Sequence, residues 1–310
     1  MSTRAAISLQ CRMPSLARTA FVLGAGLGTR LLPWTQSWPK PLLEIGGQPL
    51  VTYAFRHLQS VGVERFIVNT HHCAERWAQV FPKAEWNGIP ITFRHEPVLL
   101  ETGGGLRNIE DLLPGGTDSD EPLLVYNGDV ITDTPLEPLL HHHAQSAAEV
   151  TLAVRDDGGP AHINFTPDAA DGLLDDEHGP LAVVPGRVTD IRGALGAPPG
   201  TACLFTGLYV VQPRFLRRLE PGVKASVIPA FLQLIREAAG GGAGLGAVLL
   251  RQGTWCDVGT CATFAEKDAE LRAAAGLPAS DCESTPPWPT NPARAAAAPV
   301  SSAPRRSTSP

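Results

Sequence analysis

The amino-acid sequence predicts an α/β protein built on a mainly parallel sheet. Short apolar runs alternate with amphipathic stretches along most of the chain, the signature of repeated strand–helix units. LVTYAFRHLQSVG (50–62) places apolar residues at helical spacing and closes on Gly62 as a C-cap. At 310 residues, 43% hydrophobic and 18% charged, the chain has ample surface to bury in one large or two modest domains.

Residues 1–18 carry Arg4, Arg12 and Arg18, no acid, and much Ser and Ala, a composition shared by transit peptides. A ragged start with Met13 as initiator is the preferred reading, and a disordered extension is expected. AFVLG (20–24), RFIVNTH (65–71), ITFRHE (91–96), LLVYNGD (123–129) and VTLAVRD (150–156) read as strands. AERWAQVF (74–81), GGLRNIEDLL (104–113) and LEPLLHHHAQS (136–146) read as helices. In 157–200, Gly, Pro and Asp surround short apolar pieces, which predicts hairpins inserted over one face, above the acceptor site. The strand–helix rhythm resumes with 203–211, 227–238 and 247–252, and eight prolines after Gly276 predict a disordered tail over 275–310.

Net charge of −6 lacks the basic excess of a nucleic-acid binder, so no polynucleotide partner is expected. No apolar run reaches the roughly 18 residues of a membrane helix, so no membrane partner is expected either. Cys11, Cys73, Cys203, Cys256, Cys261 and Cys282 are scattered without a CxxC pair, as in reduced thiols of a cytoplasmic protein.

The loop after the first strand, VLGAGLGTRLLPWTQSWPKPL (22–42), starts like a dinucleotide fingerprint, but Thr29 stands where the third glycine belongs. Pro33, Pro39 and Pro41 keep a helix from following directly, and no Gly-Lys-Ser/Thr completes a P-loop. What remains is a stiff loop with Arg30 and Lys40 held along it. Gly24, Ala25, Gly26, Gly28 and Thr29 are expected to bring backbone N–H groups to a triphosphate, with the two cations as countercharge. A plain glycine turn with two solvated cations explains the loop equally well if it stands alone.

It does not stand alone. G-x-G-x-R, P-x-T and K-P-L, here Gly26, Gly28, Arg30, Pro33, Thr35, Lys40, Pro41 and Leu42, resemble the N-terminal signature of the sugar-1-phosphate nucleotidyltransferases. ETGGGL (101–106), NGD (127–129), FTGLYVV (205–211) and WCDVGT (255–260) continue the resemblance, which covers roughly 19–274 as one catalytic domain. It implies a Rossmann-like three-layer fold with a mixed, mainly parallel sheet. Its implied partners are a nucleoside triphosphate and a sugar-1-phosphate, and its implied cofactor is Mg²⁺. Gly24 departs from the alanine usual in the family, and Trp38 replaces a small or polar residue, packing over the loop or the base.

Asp129 and Asp257 are expected at the carboxyl ends of adjacent parallel strands, where they converge as ligands of Mg²⁺; an isolated buried Asp is more often a cap or turn former. The resemblance gives Lys40 the α-phosphate and Arg30 the leaving pyrophosphate. Gly103 and Gly104 would set backbone amides against the base while Glu101 accepts an imide N–H, which suits uracil, though guanine also offers N–H donors. The plainer role for Glu101 is a helix N-cap partner. The ETGGG run resembles that of N-acetylmuramate-1-phosphate uridylyltransferases, and Asn127 would then sit near the sugar.

Nothing in 155–200 matches the E-K-P run with which many family members hold the sugar phosphate; Arg187, Arg192 or Lys224 would have to substitute. Muramic, mannose and heptose phosphates all stay open. His141, His142 and His143 face different ways on a helix and read as solvated surface, not a metal site. Two alternatives remain: a non-catalytic sensor of nucleotide sugar, and transfer to a non-sugar phosphate such as phosphocholine. A monomer or small homo-oligomer is expected.

Overall fold

The computed structural model describes residues 17–168 and 182–280, with the backbone of 174–175 and 179–180. Most of the expected N-terminal extension (1–16) and tail (281–310) lies outside the described residues. Ala17 and Arg18 belong to the fold: Ala17 is buried, and the Arg18 carbonyl accepts from the backbone N–H of Glu64 and Arg65.

The first half of the chain contains β1 (Thr19–Leu23), β2 (Glu44–Ile45), β3 (Gln48–Pro49), α1 (Val51–Ser60), β4 (Arg65–Thr70), α2 (Glu75–Val80), β5 (Glu85–Trp86), β6 (Ile89–His95), α3 (Glu101–Arg107), β7 (Leu123–Asn127), β8 (Val130–Thr132) and α4 (Glu137–Gln145). The second contains β9 (Val150–Arg155), β10 (Ile163–Pro167), β11 (Leu174–Asp175), β12 (Gly179–Pro180), β13 (Val183–Ile191), β14 (Thr201–Val211), α5 (Ile228–Ala238), β15 (Gly246–Leu250), β16 (Trp255–Asp257) and α6 (Cys261–Ala274).

Ten strands form one mixed sheet in the order β10-β13-β15-β9-β14-β7-β1-β4-β6-β5. β7, β1, β4 and β6 are mutually parallel, and antiparallel β14 joins them to the parallel pair β9 and β15. Side chains alternate along each central strand and so serve two cores. Phe21, Ile67, Leu123 and Val125 meet Leu106 of α3 and Phe231 and Leu234 of α5 on one face. Val22, Phe66, Val68 and Leu124 meet Phe55 and Leu58 of α1, Trp77 of α2 and Leu139 of α4 on the other. The result is three layers, helices over both faces of the sheet.

Helix α1 shows how the pattern produces this. Val51, Ala54, Phe55 and Leu58, at helical spacing, are fully buried, Phe55 stacks on Phe66 at 4.4 Å, and Gly62 at φ +88° follows the last turn. Burying one such phenylalanine contributes about 1.5–3 kcal/mol.

Three expectations change. The strands in 163–167 and 183–191 join the main sheet: β10 and β13 pair antiparallel, β13 pairs with β15, and β10 also pairs with the start of β14, so these strands curl back on the sheet. The helix expected over 104–113 instead spans Glu101–Arg107 and gives way to a 3-10 turn at Glu110–Leu112. Of the three histidines, His143 is buried at 1% exposure, not solvated, with Nδ1 2.8 Å from Thr151 Oγ1 and Nε2 3.1 Å from Gln212 Nε2. Among the described residues no helix is long and apolar enough to cross a membrane.

Candidate active site

Parallel register places the site. Leu23 at the end of β1 lies opposite Asn69 of β4 and Asn127 of β7, so two asparagines flank it at the carboxyl edge of the sheet. Above it opens a cleft of about 500 Å³, lined by the loop after β1, the start of α3 and the turn after β7.

The loop earns its stiffness from local bonds. Gly28 sits at φ +62°, where a Cβ would lie 2.8 Å from Thr35 Cγ2 and 3.1 Å from Lys40 Cβ, and Thr35 Oγ1 donates to the Gly28 carbonyl at 2.9 Å. The Thr35 carbonyl is in turn 2.8 Å from His72 Nε2. Trp38 packs on this loop and not in the cleft, with the Arg76 guanidinium 4.8 Å over its ring. Held this way, the loop delivers Lys40 into a nearly dry position, its side chain 7% exposed.

Lys40 Nζ donates to Asp129 Oδ2 at 2.7 Å and lies 3.7 Å from Asp257 Oδ1, while Arg30 Nη2 lies 3.7 Å from Asp257 Oδ2. Two cations and two carboxylates thus interleave at one end of the cleft. The Arg30 guanidinium rests over Gly259, where a Cβ would come within 2.7 Å of it.

The carboxylates reach this point by a route the sequence did not predict. Asp129 follows parallel β7, but Asp257 ends β16, which pairs antiparallel with β8 in a separate two-stranded ribbon, not with a parallel strand of the sheet. Asp257 lies opposite Val130, so the ribbon itself brings the two acids together. Asp133 staples its far end, accepting from Thr254 N at 2.5 Å and Thr254 Oγ1 at 2.9 Å. Burial works to raise the Asp133 pKa, but these bonds outweigh it and hold the carboxyl below its ordinary value.

Ala25, Gly26, Gly28, Thr29, Arg30, Lys40, Glu101, Asn127 and Asp129 all line the cleft. Gly24, Gly103 and Gly104 do not: each is buried, and their N–H groups are already engaged. Gly24 N donates to Asn69 Oδ1 at 2.8 Å, and Gly103 N and Gly104 N both donate to the Ala225 carbonyl, at 2.8 and 3.1 Å. The glycines of ETGGG therefore admit the 223–226 segment, whose carbonyls approach to within 3 Å of where Cβ atoms would stand. A side chain at Gly24 would lie 2.8 Å from the Asn69 carbonyl and 2.9 Å from Trp77. Gly24→Ala, the residue usual elsewhere, is accordingly expected to destabilise this chain by about 1–3 kcal/mol, read as a lower urea midpoint; an unchanged midpoint would show that the loop relaxes freely.

Glu101 is the strained member. Its φ of +60° is costly for a residue with a Cβ, it is exposed at the cleft wall, and its Oε1 lies 3.5 Å from Lys224 Nζ. It makes no side-chain cap to its own helix. Asn69, Leu99, Thr102 and Ser226 also line the cleft and were not anticipated. Only Asn69 carried a signal, a polar residue closing a buried apolar strand at the same depth as Asn127.

With this geometry in hand, comparison with known proteins is decisive for the first half of the chain: residues 19–162 match the nucleotidyl transferase family model. This segment is a nucleotidyl transferase domain. The chain is 31% identical over 217 residues to the mannose-1-phosphate guanylyltransferase of Mycobacterium tuberculosis, covering 69% of itself and 55% of that protein. It therefore spans little more than half of that relative. It is 27% identical over 251 residues to the N-acetylmuramate alpha-1-phosphate uridylyltransferase of Neisseria meningitidis, covering 81% of itself and 96% of that protein. A solved UDP-glucose pyrophosphorylase from Acinetobacter baumanii shares the fold at a TM-score of 0.65 and 16% identity, over 84% of this chain and 97% of that one. The nucleotidyl transferase domain includes the glycine loop, Lys40, Glu101 and Asp129; Asp257 comes from beyond it.

Proposed function

We propose that residues 19–274 form a catalytic unit that transfers a nucleoside monophosphate, from UTP in the first instance, to a sugar-1-phosphate and releases pyrophosphate. The observation that carries this reading is the interleaving of Arg30, Lys40, Asp129 and Asp257 at one end of a cleft whose other wall presents Glu101. A sensor of nucleotide sugar would need no such set.

In the proposed reaction a sugar-phosphate oxygen bonds to the α-phosphorus as the bond from that phosphorus to the bridging oxygen breaks, and pyrophosphate leaves with the electron pair. A phosphate monoester, with a second pKa of about 6, is already largely dianionic at neutral pH, so no general base is needed. Catalysis is then positioning and charge neutralisation. Lys40 neutralises the α-phosphate from a desolvated position, and Arg30, exposed on the open side, holds the departing pyrophosphate. Asn127, at the end of β7, faces the acceptor.

The donor set fits a hard divalent cation. Two carboxylates already flank a cationic ammonium, and Mg²⁺ takes one or two carboxylates together with substrate phosphate and water. When bound, Mg²⁺ held by Asp129 and Asp257 would neutralise charge on the reacting phosphates.

Glu101 can accept an N–H from the imide of uracil, and the meningococcal relative, matched over 96% of its length, is named as a uridylyltransferase. Guanine offers N–H donors to the same carboxylate, so the preference for UTP rests on that relative. No aromatic side chain is among the described residues lining the cleft, which leaves nothing to cage a quaternary ammonium and weighs against phosphocholine. The test is pyrophosphate release with Mg²⁺, crossing UTP, GTP, CTP and dTTP with N-acetylmuramate-1-phosphate, mannose-1-phosphate, glucose-1-phosphate and phosphocholine. Turnover with UTP and one sugar phosphate, abolished by Asp129→Ala, is the expected result; no turnover across the grid would sink the proposal.

A further inference from the structure

Glu96 is the most buried acid that the proposed chemistry leaves unused. It is fully inaccessible, and its carboxylate makes two hydrogen bonds: Oε1 accepts from Asn69 Nδ2 at 2.8 Å, and Oε2 accepts from Leu100 N at 2.9 Å. Asn69 in turn accepts the Gly24 N–H at 2.8 Å. A continuous chain therefore runs from Gly24, root of the glycine loop, through Asn69 and Glu96 to Leu100, which immediately precedes the left-handed Glu101. Gly105 leaves room for it, since a Cβ there would lie 2.9 Å from both Asn69 Nδ2 and Glu96 Oε1. The bracket is anchored by backbone as well: Glu96 N donates to the Thr70 carbonyl at 2.8 Å, and the Glu96 carbonyl lies 2.7 Å from His71 Nδ1.

We propose that the buried Asn69–Glu96 pair is a positioning device that fixes the spacing between the phosphate-gripping loop and Glu101. The inference rests on the proposed nucleotide reading. Its physical basis is directional: every donor in the chain points toward Glu96 or Asn69 Oδ1, so the order of donors and acceptors admits one arrangement. An amide at 96 breaks that order wherever it is turned, because its NH₂ must meet the Asn69 amide or the Leu100 N–H, donor against donor. Turning Asn69 to relieve this sets its own NH₂ against the Gly24 N–H. Buried mismatches of this kind are not rescued by water.

The order can be restored by exchange. In Asn69→Asp with Glu96→Gln, the carboxylate at 69 accepts from Gly24 N and from the amide at 96, whose oxygen accepts from Leu100 N. Net charge is unchanged and every bond returns. The experiment is isothermal titration of the full chain with UTP and GTP, with thermal midpoints recorded alongside. Glu96→Gln is expected to weaken nucleotide binding about tenfold, and the double variant to return within about threefold of wild type. A Glu96→Gln protein that melts lower yet binds nucleotide as wild type does would overturn the inference, making the pair merely structural. So would a double variant as weak as the single one. Wild-type protein that binds no triphosphate would overturn the proposed function itself, an outcome distinct from the other two.

Discussion

Lys40→Met is expected to lower kcat about 10²- to 10³-fold while the nucleotide KM changes far less. The ammonium sits in a site 7% exposed, where its field is weakly screened, and the Lys40 Cβ lies so close to Gly28 that a side chain there would come within 3.1 Å of it. Arg30 cannot replace it: its side chain is 64% exposed and its ion pair is with Asp257, at 3.7 Å. The variant should also bind Mn²⁺ more tightly than wild type when no nucleotide is present. With the ammonium 2.7 Å from Asp129 and 3.7 Å from Asp257, a divalent cation and Lys40 compete for the same two carboxylates, and a triphosphate that takes Lys40 away frees them. Steady-state pyrophosphate release measures the first effect and electron paramagnetic resonance of free Mn²⁺ the second. A near wild-type kcat would remove Lys40 from the chemistry. Weaker Mn²⁺ uptake would mean that the lysine organises the acids instead of competing for them.

Strands and amphipathic helices of this fold were legible because their periodicity is local. The runs ending at Leu23, Thr70 and Asn127 and the stripe Val51, Ala54, Phe55, Leu58 could be read without knowing what they touch. Helix α6 was not read as one. It buries only Phe264 and Asp268 and has no apolar stripe; what holds it is the Thr260–Thr263 capping box and Asp268, which accepts from Gly46 N at 2.7 Å and pairs with Arg272 at 2.9 Å. Those partners lie more than 200 residues away in part, and no window of sequence contains them.

The site divides in the same way. Residues whose chemistry is in the side chain, Arg30, Lys40, Glu101, Asn127 and Asp129, were found at the cleft because charge and polarity at strand ends are visible in the sequence. Gly26 and Gly28 also line the cleft, but Gly24, Gly103 and Gly104 do not, because a glycine records only that something comes close. At Gly103 and Gly104 that something is the Ala225 carbonyl, and at Gly24 it is Asn69 and Trp77. The antiparallel β8–β16 ribbon escaped notice for a related reason: three-residue strands carry too little pattern to distinguish a ribbon from a sheet strand.

His143 supplies the largest expected effect of acid pH on stability. Burial lowers its pKa to about 4, assisted by the nearby positive charges of Arg214 and His142. The bonding agrees: the Gln212 amide nitrogen can only donate to Nε2, so the proton lies on Nδ1 and is given to Thr151 Oγ1. A second proton on the ring would face the Gln212 N–H. In the unfolded chain the imidazole has its ordinary value of 6.5. Between these two values the unfolded state binds a proton that the folded state refuses, so stability falls as pH drops, by about 1.4 kcal/mol per pH unit. The contribution is fully present above 6.5 and declines toward about 4, a total of about 3 kcal/mol. His57 and His142, also lowered by burial, act in the same direction, so the wild-type profile alone does not isolate His143. His143→Leu does, because it removes this titration and leaves His57 and His142 in place. Urea unfolding at about pH 7 and about pH 4.5 should show the variant less stable than wild type at the higher pH, with the gap closing by about 2–3 kcal/mol at the lower. A gap of equal size at both would mean that His143 is protonated in the folded protein and that Gln212 has turned to accept from it.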